Sequence, residues 1–125
     1  MAKAKPTRIS WRRDVKAHDY PAAESYLSLL HGEDQVRGMI KRLKNVPVVE
    51  FKAKDIFRAA RLSLLGVSNS HVQADLRKMR EGEKLSPLLL VRNEAIGQVV
   101  IADGYHRLCA VYTVDEDATI PCKII

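Results

Sequence analysis

At 125 residues, with 46% apolar and 29% charged side chains, the chain has the make-up of one globular domain, which excludes a fibrous or disordered class. No apolar run nears the roughly 20 residues that cross a bilayer, and "MAKAKPTRISWRRD" lacks the apolar centre of a secretion signal, so cytoplasmic residence is expected. The net charge of +6 is uneven: residues 1–45 carry +5 and residues 46–125 carry +1.

The chain opens with Lys3, Lys5, Arg8, Arg12 and Arg13 and has no acid before Asp14. Residues 1–20 read as a basic flexible arm, which either lies along a polyphosphate such as DNA or only aids solubility. Its aromatics, Trp11 and Tyr20, are too few for stacking along a single strand. In "PAAESYLSLLHG", Pro21 stands at a first helical position and Gly32 at a stop, with Tyr26, Leu27 and Leu30 on a modest apolar face. "EDQVRGMIKRLKN" places Val36, Met39, Ile40 and Leu43 at i, i+3, i+4 and i+7. Its acids come first and its bases last, as the helix dipole favours. Residues 21–45 are thus a helical extension.

"VPVVEFKAKDI" (46–56) is β-branched and roughly alternating, so it reads as a strand. "DIFRAARLSLLG" returns to helical spacing through Ile56, Ala59, Ala60 and Leu64, with Gly66 as stop. "SNSHVQADLRKMREG" is another helix, capped by Ser68 or Ser70 and ended by Gly82, with Val72, Leu76 and Met79 as its stripe. "SPLLLVRN" and "GQVVIADG", joined by "NEAIG", read as a hairpin. "YHRLCAVYTV" is helical, "DED" is an exposed acidic turn, and "ATIPCKII" is a closing strand. This order predicts an α+β fold over residues 46–125, a small mixed β-sheet flanked by helices, with the helical extension before it. Cys109 and Cys122 lack a CxxC spacing and read as buried thiols. His18, His31 and His71 have no zinc-ligand spacing, and no metal site is predicted.

The densest chemistry lies in "VVIADGYHRLCAV" (99–111). A strand ends near Ala102, Gly104 permits a tight turn with positive φ, and a helix opens near Tyr105. The first amides of that helix lack intrahelical partners and sit at the positive end of the dipole. His106 and Arg107 fall in the same turn. Amide donors, an imidazole and a forked guanidinium together favour phosphate. Asp103 has three options: to cap the helix, to hold Mg²⁺ on phosphate oxygens, or to accept a proton from a hydroxyl. Taken singly, His106 is equally a structural imidazole, and Arg107 an ion-pair partner of Asp103 or Glu50. No P-loop or nucleophile-elbow motif occurs.

The run Asp103-Gly104-Tyr105-His106-Arg107, with Ala110 after it, resembles the signature turn of the ParB-like nuclease and sulfiredoxin superfamily. There a strand ends in a Gly-x-[His/Arg]-Arg turn that opens a helix and receives nucleotide phosphates. "VPVVEFKAKDI" is similar to the family's opening strand, "HVQADLRKMREGEKLSPLLLV" to its helix, glycine and Pro-led strand, and "ATIPCKI" to its closing strand. The likeness covers residues 46–125. It implies a nucleoside di- or triphosphate with Mg²⁺, bound by Gly104, Tyr105, His106 and Arg107, with Ser70 and His71 facing it across a pocket. It also implies Asp103 and His106 as catalytic groups in nucleotide hydrolysis or phosphoryl transfer. Glu50 and Glu81 are the acids available as a separate base.

The turn is closest to the "DGxHR" of free serine kinases and other stand-alone members. It differs from the "GERR" of chromosome-partitioning ParB proteins. Tyr105 stands where sulfiredoxin has its catalytic Cys, so sulfinic-acid repair is not expected. Two other readings remain open. One is a DNA-associated module that uses the basic arm and helix 33–44. The other is a non-catalytic phage or toxin-type interaction protein with a decayed site.

Overall fold

Leu88, Leu89, Leu90 and Val91 are all buried, because the strand they form is covered on both faces. The computed structural model describes residues 8–125. Its elements are α1 (Asp19–Leu27), α2 (Glu33–Asn45), β1 (Val49–Lys52), α3 (Ala53–Ala60), α4 (Ser70–Arg80), β2 (Leu88–Asn93), β3 (Gln98–Asp103), α5 (Tyr105–Val114) and β4 (Thr119–Ile124). The sheet runs β1-β4-β2-β3. β4 lies antiparallel to β1 and parallel to β2, while β2 and β3 form an antiparallel hairpin. The α+β class and the small mixed sheet are as expected.

Side chains alternate across the sheet and so feed two cores. Leu88, Leu90, Val99, Ile101 and Ile120 pack with α3, α4 and α5. Leu89, Val91 and Ala102 pack with Leu27, Val36, Ile40 and Leu43 of α1 and α2. Burying a side chain such as Leu27 or Leu43 in full contributes about 1.5–3 kcal/mol. The helical extension is therefore one layer of the domain and not an appendage to residues 46–125. Lys123 strengthens the join: it is 8% exposed, and its Nζ donates to the Lys44 carbonyl at 3.0 Å, at the C-terminal end of α2.

The basic arm is corrected over its described part. The Arg12 amide donates to the Leu85 carbonyl and the Leu85 amide to the Ser10 carbonyl, both at 2.8 Å. The Lys16 amide donates to Ser86 Oγ at 3.0 Å, and Val15 is buried. Residues 9–18 are thus docked. Arg8, Arg12 and Arg13 stay exposed, and Lys3 and Lys5 lie outside the described residues.

Several boundaries also move. α1 starts at Asp19, so Pro21 is its third residue, still within the turn that tolerates proline. It ends at Leu27, and Gly32 serves as N-cap of α2 instead. The strand expected over 46–56 shrinks to β1, because Ala53, Ile56 and Ala60 bury one helical face from Ala53 onward. That helix stops at Arg61, whose φ is 56°, and residues 62–66 are irregular. Asn69, and neither serine, caps α4.

Candidate functional site

β3 ends at Asp103 and α5 begins at Tyr105, with Gly104 between them at φ 108°. Only glycine fits there: a Cβ would stand 2.7 Å from Leu88 Cγ and 3.0 Å from Arg107 Nη2. The first bond inside the helix runs from the Leu108 amide to the Gly104 carbonyl, at 2.9 Å. No side chain caps α5, so the amides of Tyr105, His106 and Arg107 stand at the positive end of its dipole. The capping role open to Asp103 is not taken, since its carboxylate turns onto Arg107.

The start of α4 meets the start of α5. Asn69 Oδ1 accepts from the amides of His71 at 2.9 Å and Val72 at 3.2 Å, which fixes the first turn of α4. The His71 ring then lies with its centroid 4.7 Å from that of His106. Ser70 is the first residue of α4 and is exposed. The Tyr105 ring is 5.7 Å from His106, and its hydroxyl donates to the Ser63 carbonyl, which ties the irregular 62–66 stretch to the turn. Burial holds the His106 imidazole below its ordinary pKa; His71 adds to the effect and Asp75 opposes it. His106 is therefore neutral at neutral pH.

Asp75 lies one turn after His71 on α4 and is buried, with Lys78 Nζ at 4.0 Å. Burial pushes its carboxyl above the usual range, against the pull of Lys78, Arg107, His106 and His71. Arg107 is half-withdrawn, its side chain 16% exposed. Its Nη2 donates to Asp103 Oδ2 at 3.1 Å, the Pro87 carbonyl at 3.3 Å and Asp19 Oδ2 at 3.4 Å. Burial also raises the Asp103 carboxyl, and Arg107 opposes that shift. Of the two ion pairs open to Arg107 in the sequence, the one to Asp103 forms and the one to Glu50 does not.

The structure thus gathers Asp103, Gly104, Tyr105, His106, Arg107 and His71 at one junction. Glu50 lies on the exposed strand β1 and Glu81 just past the far end of α4. Asp19 and Asp75 belong to the junction and were not singled out from sequence. Asp75 had a signal, the i+4 spacing from His71 that places both on one helix face. Asp19 had none, since it reaches Arg107 across 88 residues.

Chemically, two imidazoles beside the uncapped start of α5 are donors of the kind that suits an oxyanion. The residues do not suit a protein-held Mg²⁺. Asp103 is shared with Arg107, and no group of three His, Cys, Asp or Glu side chains among the described residues is placed to hold a metal. Cys109 and Cys122 are buried free thiols, the latter pushed up to about 12 by burial, so neither is a nucleophile.

Two grooves sit elsewhere, at the hairpin end of the sheet. One, of about 380 Å³, is lined by Phe51, Ile56 and Val99; the other, of about 720 Å³, by Tyr26, Met39 and Arg42. Both include Gln98, at the opposite end of β3 from Asp103, so their size says nothing about the junction's chemistry. No protein-family model, curated protein or solved structure matches the chain.

Proposed function

We propose that the chain binds a phosphorylated ligand, with a nucleoside di- or triphosphate as first candidate, where α4 and α5 begin. The observation that carries this reading is the pair His71 and His106, 4.7 Å apart at the uncapped start of α5. A neutral imidazole still offers one N–H donor, so the two rings and the unpaired amides at the start of α5 can donate together to an oxyanion seated over them. The resemblance of the turn to the ParB-like and sulfiredoxin superfamily supports the same ligand class. Mg²⁺ enters only as a companion of the ligand's own phosphates. Hydrolysis or phosphoryl transfer would use His106, whose neutral imidazole suits a general base.

The test is a thermal-shift and calorimetric screen of nucleoside di- and triphosphates, with and without Mg²⁺. A true ligand at a hundred times its Kd adds about 2.7 kcal/mol and so raises Tm by about 10 °C. His71→Ala and His106→Ala should each weaken it about tenfold, the worth of one hydrogen bond to a charged group. Phosphate release should end in His106→Ala. If no nucleotide at millimolar concentration stabilises the protein more than matched salt does, the reading fails. Salt-sensitive duplex binding in its place would favour the DNA-associated module, with Arg8, Arg12 and Arg13 as contacts.

A further inference from the structure

We propose that Asp19 is a further residue of this site: with Asp103 it holds Arg107 in reserve, and an arriving phosphate takes the guanidinium from Asp19. The proposal rests on the phosphate reading above. All three hydrogen bonds of the Arg107 side chain among the described residues leave from one nitrogen, Nη2. That nitrogen has two hydrogens and three acceptors, so it is over-committed. The bonds at 3.3 and 3.4 Å are long for N–H···O. Meanwhile Nε is buried with no partner. A guanidinium with one crowded nitrogen and one orphaned nitrogen has not met its preferred partner, an oxyanion that takes two adjacent N–H groups at once.

The charges point the same way. Asp19 and Asp103 share one cation, so the trio carries a net negative charge that opposes any phosphate beside it. Asp103 stays, because it flanks the same tight turn four residues before Arg107 and holds it at 3.1 Å. Asp19 holds it at 3.4 Å and comes from a separate layer, the first turn of α1. Its side chain is 5% exposed and is otherwise met by His18 Nε2 at 3.2 Å. Once a phosphate replaces Asp19 on Arg107, the start of α1 loses its long-range anchor.

Two measurements test this on the full chain. The first is the rate at which phenylglyoxal modifies Arg107, followed by peptide mass spectrometry with exposed Arg37 as internal reference. Asp19→Asn should speed the reaction at Arg107 by about fivefold or more, since the mutation removes a charged partner. An unchanged rate overturns the proposal. If the rate rises yet ADP binds neither protein, Asp19 keeps its role as keeper of Arg107 and the phosphate reading alone falls. The second measurement is hydrogen exchange in the wild-type chain, which also serves if Asp19→Asn fails to fold. ADP binding should speed exchange at residues 20–23 while slowing it at residues 105–108. Binding that leaves residues 20–23 unchanged or slower overturns the proposal.

Discussion

Gly104→Ala tests how tightly the turn is locked. The backbone there has φ 108°, which costs a residue with a Cβ about 1–2 kcal/mol. The new methyl would also lie 2.7 Å from Leu88 Cγ and 3.1 Å from Leu88 Cδ1. Leu88 is 0% exposed and pinned in the core between β4 and β3, so it has nowhere to retreat. Overpacking of that kind adds about 1–3 kcal/mol. Together the two effects come to about 2–5 kcal/mol. Over 125 residues the unfolding entropy is about 260 cal/mol/K, so each kcal/mol lowers Tm by about 4 °C. The expected drop is therefore about 8–20 °C.

Gly97→Ala is the matched control. Its φ is 62°, and a Cβ there meets nothing within 4 Å, so only the backbone cost of about 1–2 kcal/mol applies. Thermal melts followed by circular dichroism, with denaturant midpoints as a cross-check, read both variants. Equal losses, or a drop under about 4 °C for Gly104→Ala, would mean that Leu88 yields and that the turn is not sterically fixed.

Asp75→Asn should raise Tm at neutral pH. The folded-state pKa of Asp75 lies above its unfolded value, so its contribution to stability is complete below the unfolded pKa and is lost as pH rises through the folded one. The gain over wild type should thus shrink toward about pH 4, and a gain that is flat with pH would refute the burial argument. Leu43→Ala should cost about 2–5 kcal/mol in urea unfolding, as for any fully buried leucine. A separate early transition for α1 and α2, in place of one shifted transition, would show that the two layers do not unfold as a unit.

The hairpin and α2 were legible because each obeys one strong local rule. "LLLV" and "VVIA" are short apolar runs between turn residues, which favours strands over buried helix, and residues 33–45 carry a full amphipathic repeat with a charge gradient. Residues 46–56 misled because β-branched residues at Val46, Val48 and Val49 announce a strand, while the helical face that starts at Ala53 has only one large apolar residue, Ile56, between the small Ala53 and Ala60. The cap of α4 was hidden among three eligible side chains, Ser68, Asn69 and Ser70, and only backbone direction selects Asn69. At the site, the turn from Asp103 to Arg107 was readable because strand, glycine and helix start are contiguous. The meeting of His71 with His106 needs α4 packed on α5, and the hold of Asp19 on Arg107 needs α1 packed on β3. Tertiary packing of that kind leaves no periodicity in a single chain.

β4 stands between β1 and β2 although it is the last of the four strands to be synthesised. Until residues 119–124 leave the ribosome, β1 has no neighbour and β2 has an open side. The sheet is therefore closed by its keystone, after the other three strands have been translated. A nascent chain stalled before Thr119 would leave those strand edges unpaired, the condition under which strands from separate chains associate.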